Sequence, residues 1–455
     1  MVSGGYVPSQ PTSRKISRLR SNRLVRGVGM QAGGAVLAQL VVVAVTPLLS
    51  RLYDQEDFGS FEVYAVIVTM LAVLSTGRLF EAIVVPANDS DGRSVYDAGL
   101  RVLLAFSGVI LVLVALFRDA VARLFDNPEL PALLWFAPIG IFALGMRQLY
   151  QGWAVRSKDY RALAENNLSR GIASSVINVT GGVLGIGGLG LAFGHGGGFG
   201  FASWRLGRRM DMPPSSGSVR PLKTLRQYRR FPLLSGPSSL LNAVSRGLPA
   251  LALSAIFGPI VVGYYALVSR ALGQPLILFQ EATTRVFSGE AAQLRRDGKA
   301  GMIRLAMNFI RSQAAIGTVI VGAAFFLAPT LFPIVFGQRW APAADYLQVL
   351  APLFLVRTMV GPMMAIFSIL GRQQTHLFVE AVRFIAVGLA FVVASRLDLG
   401  TLATVGVFTG VATGGQVFAG AVALYEMRRW DNNPAAPASD DPTAADGSAS
   451  PADSI

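Results

Sequence analysis

Leu241-Asn242-Ala243-Val244-Ser245-Arg246-Gly247-Leu248-Pro249-Ala250-Leu251-Ala252-Leu253-Ser254-Ala255-Ile256-Phe257 closes an apolar run over 233–257 with one arginine near its middle. A second run follows at once over 260–282, with Arg270 inside it. Each is long enough to cross a bilayer, which takes about 20 helical residues. A charge in hydrocarbon costs several kcal/mol or more, so these arginines should face a protein interior or a wet cavity. Such a cationic interior suits the passage of something anionic.

The same pattern extends in both directions. The spans read as 27–50, 59–85, 98–117, 130–153, 163–183, 186–206, 233–257, 260–282, 303–327, 345–370, 374–395 and 401–425. Arg170, Arg357 and Arg383 also lie inside their runs. A mean hydropathy of +0.50 and a charged fraction of only 15% set aside the soluble multidomain reading that 455 residues would otherwise invite. The net charge of +14 would fit nucleic acid. Most Lys and Arg, however, sit in short connections beside the spans, so no nucleic-acid partner is expected. There is no cysteine, hence no disulfide and no thiolate ligand or catalyst. His195 and His376 are the only histidines, and their spacing supports no metal site. No cofactor is expected.

Lys and Arg also set the direction of threading. The first 26 residues are basic, as are the connections after span 4 (Arg156, Lys158, Arg161), span 6 (Arg208, Arg209, Arg220, Lys223) and span 8 (Arg285, Arg295, Arg296, Lys299). The alternate connections hold only Arg51, Arg118, Arg123, Arg339 and Arg396. This alternation requires an even number of spans and both termini in the cytoplasm. It also favours two helices in the glycine-rich stretch 180–206, which is otherwise readable as one broken segment. The first helix reads as retained rather than cleaved.

A faint repeat relates the halves. Pro47 and Asp57-Phe58-Gly59 precede the counterparts Pro249 and Val262-Gly263, and Ala137-Pro138 matches Ala351-Pro352. The expected architecture is therefore all-α and polytopic, with about 12 transmembrane helices in two pseudo-symmetric six-helix bundles around a central cavity. Its parts are a cytoplasmic basic tail (1–26), an N-terminal bundle (27–206), a cytoplasmic linker (207–232), a C-terminal bundle (233–427) and a disordered cytoplasmic tail (428–455). The last is rich in Pro, Ala, Ser and Asp.

Several stretches resemble a known family. They are Pro47-Leu48-Leu49-Ser50-Arg51-Leu52-Tyr53 with Glu56-Asp57-Phe58-Gly59; Tyr228-Arg229-Arg230-Phe231-Pro232; Leu241 through Pro249; and Gly263-Tyr264-Tyr265-Ala266-Leu267 with Arg270-Ala271-Leu272-Gly273-Gln274-Pro275. The chain resembles the Wzx-like polysaccharide (O-antigen) flippases, the lipopolysaccharide-biosynthesis branch of the multidrug/oligosaccharidyl-lipid/polysaccharide exporter superfamily. The resemblance covers roughly residues 25–430. It implies transport of an undecaprenyl-pyrophosphate-linked oligosaccharide between leaflets of the bacterial cytoplasmic (inner) membrane. The implied partners are that lipid-linked oligosaccharide and membrane lipids, with a polysaccharide polymerase or other assembly proteins as further ones.

Arginine suits a pyrophosphate because its planar fork donates paired, charge-assisted hydrogen bonds. The candidate substrate-binding residues are Arg246, Arg270, Arg357, Arg170 and Arg383, with Asn242 and Gln274. Asn242 shares a helix face with Arg246, and Gln274 shares one with Arg270. Arg170, Ser174 and Asn178 form a polar stripe at helical spacing. Structural ion pairs are the alternative, most directly for Arg383, because Glu380 lies three residues before it. Arg78 can pair with Glu81 in the same way, and Arg147 and Arg311 can snorkel. His376 and Glu380 are candidates for ion coupling, or else part of an interfacial polar patch. Glu165 and Glu281 can pair with Arg161 and Arg285. The glycines of 194–200 are not a phosphate loop, since no Lys-Ser/Thr follows and no strand precedes them.

Two other functions compete with the flippase. A multidrug or small-metabolite exporter would profit from intramembrane carboxylates, which arginines outnumber here. A membrane polysaccharide polymerase or glycosyltransferase needs a catalytic acid or base on a sizeable loop, and none stands out. No catalytic residue is assigned, and the chain is not expected to be an enzyme.

Overall fold

A computed structural model describes residues 13–214, 221–230, 232–233 and 236–434. The tail before residue 13, positions 215–220 and 231 of the expected linker, and the tail from 435 onward lie outside the described residues. Twelve long helices run through the described residues. In the first half of the sequence they are α1 Ser13–Leu52, α2 Gln55–Ala72, α3 Asp89–Leu124, α4 Ala137–Arg156, α5 Tyr160–Val183 and α6 Gly188–Arg209. In the second half they are α7 Gly236–Phe257, α8 Pro259–Arg296, α9 Met302–Phe336, α10 Ala343–Ile369, α11 Gln373–Arg396 and α12 Thr401–Asn432. The chain is an all-α polytopic membrane protein. Eight of the helices are long and apolar enough to cross a membrane by length and composition, namely α1, α3 and α7 through α12. The remaining four, α2, α4, α5 and α6, are more polar.

Local chemistry explains the boundaries. Asp54 caps α2 reciprocally with Asp57: the Asp57 N–H donates to the Asp54 carboxylate at 2.9 Å, and the Asp54 N–H to the Asp57 carboxylate at 3.0 Å. Asp159 caps α5 by accepting from the Ala162 N–H at 2.9 Å. The glycine-rich stretch forms two regular helices. Gly185 (φ +66°) and Gly187 (φ +58°) make the reversal between α5 and α6, a backbone that side chains resist. The polar stripe of α5 then faces α6, where Gly194 lies against Asn178 and Gly198 against Ser174.

The chain divides into two compact units. The larger holds the described part of Met1–Leu278 with Ala324–Leu350 and Gly388–Phe408. Within it, α2 and α8 cross at two close contacts: Gly59 lies on the Pro259 backbone, and Gly263 lies on that of Gln55. These contacts are reciprocal. Gly59 is to Gly263 as Gln55 is to Pro259 along the sequence, as a two-fold relation between repeats requires. A buried aromatic knot holds the start of α2 in register. Trp340 packs edge-on against Phe58 at 5.1 Å, and its indole N–H donates to the Ser50 carbonyl at 2.7 Å. The Ser50 hydroxyl donates to the Phe336 carbonyl at 3.1 Å. Elsewhere in this unit, Arg156 is buried and ties the segment before α3, donating to Asp89 at 2.9 Å and to the Ile83 and Pro86 carbonyls.

The smaller unit holds Phe279–Ala323, Ala351–Val387 and the described residues from Thr409 onward. Phe287, Met302, Ile366, Phe367, Ala423 and Met427 form its core. Asp431 accepts from the N–H groups of Gly301, Met302 and Ile303, each at 2.9 Å, and so satisfies the free donors that open α9. In both units large apolar side chains point outward, among them Leu116 on α3 and Val319 and Phe326 on α9. That exposure is expected where lipid rather than water is the solvent.

Candidate anion-binding site

In the larger unit, helical spacing puts Phe58, Phe61 and Glu62 of α2 near one face. Opposite them α8 widens into a π-helical turn at Ser269–Gly273, which carries Arg270. Such turns realign the side chains around them and are frequent at functional sites. The Arg270 guanidinium lies 4.8 Å from the Phe58 ring centre and 4.9 Å from that of Phe61. Its nearest carboxylate is Glu62, 3.8 Å away. Each ring contact is worth about 0.5–2 kcal/mol, more where water is excluded.

The cluster continues through aromatic contacts into α6. Phe61 meets the His195 ring at 5.8 Å, Tyr64 meets it at 6.4 Å, and His195 meets Phe199 at 5.1 Å. Two further guanidiniums stand over Phe199: Arg170 of α5 at 5.1 Å and Arg147 of α4 at 5.5 Å. Five helices thus bring three arginines and one histidine onto four connected rings, with one carboxylate. Among the described residues, no carboxylate pairs with Arg147 or Arg170. His195 Nε2 is buried with no hydrogen-bond partner. A buried nitrogen left unpaired costs free energy, so it marks a place where a ligand group would be favourable. Paired guanidiniums over rings suit a phosphate and a sugar together, the first by forked hydrogen bonds and the second by stacking.

The other residues singled out from sequence fall in several places. Arg246 and Asn242 are exposed on α7, and Arg246 makes no hydrogen bond, ion pair or ring contact with another described residue. Gln274 is exposed one turn beyond Arg270 on α8. Arg357 is half-buried on α10, within the smaller unit. Arg383, in that same unit, donates to Glu380 at 2.6 Å, and His376 lies 3.8 Å from the same carboxylate oxygen. The His376 ring stacks on Phe367 at 5.2 Å. Arg78 pairs with Glu81, and Glu165 takes both Arg161, at 2.8 Å, and Arg209. Glu281 and Arg285 are exposed and form no ion pair with each other.

Sequence reasoning passes over Glu62 because it lies just inside an expected span, close to Glu56 and Asp57 at the start of the helix. The available signal was the rule applied to the arginines: an ionisable residue within a span is functional by default. His195 carried no signal, because the rings it meets on α2, Phe61 and Tyr64, lie more than a hundred residues away in the sequence.

Twelve long helices among the described residues, many with apolar side chains exposed, define a multi-pass membrane fold. Solved structures agree. An inward-facing multidrug resistance MATE family transporter of the MOP superfamily has a TM-score of 0.64 at 19% identity, covering 88% of this chain and 94% of that one. The lipid II flippase MurJ, in an inward closed conformation, has a TM-score of 0.65 at 11% identity, covering 89% and 87%. The family model described as "Polysaccharide biosynthesis protein" matches residues 48–345, well over half the chain. The protein belongs to that family. A curated relative is the lipopolysaccharide biosynthesis protein WzxC of Escherichia coli K12, 22% identical over 372 residues, which span 76% of this chain and 72% of the relative.

Proposed function

We propose that this protein is a flippase that carries an undecaprenyl-pyrophosphate-linked oligosaccharide across the bacterial cytoplasmic membrane, for surface polysaccharide biosynthesis. The observation that carries the reading is the charge balance of the α2–α4–α5–α6–α8 cluster: Arg147, Arg170 and Arg270 against the single carboxylate Glu62. Such an excess of positive charge is costly within a membrane-spanning protein unless an anion repeatedly binds there. Pyrophosphate supplies the charge, and the connected rings supply a stacking surface for a sugar. The reading is supported by the family membership and by the likeness to WzxC and to a lipid II flippase. Both termini are placed in the cytoplasm on the alternation of Lys and Arg in the connections. Transport proceeds by alternating access, with the repeat halves rocking and the lipid tail remaining in the bilayer. The protein acts as a carrier and performs no covalent chemistry.

The test is translocation of a lipid-linked oligosaccharide in proteoliposomes, alongside surface glycan in cells, normalised to the amount of protein in the membrane. Arg170→Gln and Arg270→Gln should each lower transport at least tenfold at normal abundance. Full transport by both variants sinks the reading. Export of cationic drugs that leaves lipid-linked oligosaccharide untouched would establish the small-molecule exporter instead, the reading to which the MATE-like fold would then belong.

A further inference from the structure

The Glu62–Arg270 pair has the geometry of an occupant rather than of a brace. Its atoms are 3.8 Å apart, beyond hydrogen-bond length, where a structural arginine–carboxylate pair closes to about 2.7–2.9 Å. Neither partner is enclosed: the side chains are 18% and 24% exposed, so both retain access to whatever fills the space beside them. Arg270 does not need Glu62 to hold its place, because Phe58 and Phe61 already fix its guanidinium at 4.8 and 4.9 Å. Glu62 is also the only acid paired with any of the cluster's three arginines among the described residues. A second, independent sign of an absent ligand is His195 Nε2, buried and unpartnered two ring contacts from Arg270 through Phe61.

We propose that Glu62 is the internal counterion of the anion site, resting on Arg270 in the empty carrier and displaced by the pyrophosphate of the cargo. This rests on the flippase reading above and adds to it how the site stays empty at low cost and how it lets go. A carrier must bind well enough to load and weakly enough to unload. A carboxylate that competes for one of three guanidiniums lowers affinity without removing a binding group. It also returns to Arg270 as the anion leaves, so the guanidinium is not stranded without a counter-charge. Pyrophosphate makes forked bonds to a guanidinium that a single carboxylate at 3.8 Å does not, so the exchange favours cargo when cargo is present.

The experiment measures binding of inorganic pyrophosphate and of undecaprenyl pyrophosphate to the full chain in lipid nanodiscs. Glu62→Gln keeps the size of the side chain and removes its charge. It should bind both ligands about tenfold more tightly than wild type, a shift of roughly 1.4 kcal/mol. It should also turn over more slowly in proteoliposomes, because unloading becomes slower. Glu62→Asp, whose carboxylate reaches less far, should fall between the two. Arg270→Gln should weaken binding, and adding Glu62→Gln to it should change nothing further, since the two residues act on one contact. A brace would behave in the opposite way: its removal would loosen Arg270 and weaken binding.

Unchanged or weaker binding by Glu62→Gln, while Arg170→Gln and Arg270→Gln still weaken it, overturns the counterion and leaves the flippase reading standing. Wild-type binding that Arg270→Gln does not weaken also overturns it. If no variant and no wild-type sample binds either ligand, both proposals fall. A thermal midpoint recorded for each variant guards against misfolding. Should Glu62→Gln prove unstable, Glu62→Asp alone decides, by binding more tightly than wild type or not.

Discussion

Two arginines set in apolar helices meet a glutamate in contrasting ways. Arg383 reaches Glu380 at 2.6 Å from three residues along the same helix, and His376 adds a second contact to that carboxylate. Arg270 meets Glu62 across two helices, at 3.8 Å, while lying on two phenylalanine rings. The first pair follows from helix geometry alone, since residues three apart share a face. It closes on itself, which spends the charge locally. The second pair exists only because α2 and α8 cross where they do, and it leaves the guanidinium open on one side. A charge neutralised by its own helix is cheap to keep and has little left to offer a ligand. A charge held apart from its acid by the fold is costly, and the cost is repaid only if something binds.

The crossing itself gives the largest expected effect. Gly59 and Gly263 let α2 and α8 approach until each glycine rests on the other helix's backbone. Gly59→Leu would place carbon atoms where the Pro259 backbone lies. Overpacking of this kind costs about 3 kcal/mol or more, because backbone cannot step aside as a side chain can. The variant should accumulate in membranes at a small fraction of the wild-type level. Normal abundance and normal melting would show that the crossing does not set Glu62 opposite Arg270.

Next in size is the functional contrast between the two arginines. Arg270→Gln should lower translocation at least tenfold at matched abundance, and Arg383→Gln less than threefold. Lysine at 270 should restore part of the loss, because it keeps the charge and loses the fork. Equal losses at 270 and 383 would break the comparison outright, by giving the closed pair the same standing as the open one.

The sequence makes these two places legible to different degrees. The threading of Lys and Arg demands an even count of helices and so two in the glycine-rich stretch, whereas the expected second span begins at 59 and misses the Asp54–Asp57 cap that opens α2 at Gln55. The Glu380–Arg383 pair is readable from spacing alone. The candidate site is harder, for a physical reason. Four helices fall short of a membrane span by apolar length and composition, α2, α4, α5 and α6, and they carry Glu62, Arg147, Arg170 and His195. The polar groups that make a site weaken the hydropathy that reveals a helix. Arg170 and Arg270 are visible one at a time as intramembrane charges. That Phe61, His195 and Phe199 connect them is a tertiary fact, written in no local period.

The closed pair on α11 supplies a smaller and sharper test. Exchanging Glu380 for Gln and Arg383 for Met together should leave the thermal midpoint almost unchanged, since pairs of this spacing contribute only about 0.2–0.5 kcal/mol. Either single change should cost more than the double, because it strands the remaining charge among apolar neighbours. A large transport defect in the stable double variant would instead give Glu380 or Arg383 a role in coupling.

A third acid, outside the expected spans, completes the series as a carboxylate with no cation. Glu129 precedes the short helix Leu130–Leu134, and its Oε2 is buried without a partner. Burial, then repulsion from Asp57, holds its carboxyl above the ordinary range; the Ser60 hydroxyl beside it opposes the rise, and repulsion from Glu56 and Asp54 adds to it. The folded protein therefore keeps the Glu129 proton over a window in which the unfolded chain has lost it. Its contribution to stability is full below the unfolded value and is lost as pH rises through the folded one. Glu129→Gln, which stays neutral, should match wild type at pH 4 and exceed its thermal midpoint by about 1–2 °C at pH 8. Arg383 offers the control: Gln at Glu380 removes an acid that has a close cation, and should give no such gain at pH 8. A melting advantage for Glu129→Gln that is the same at both pH values would assign the effect to packing and take the charge out of the account.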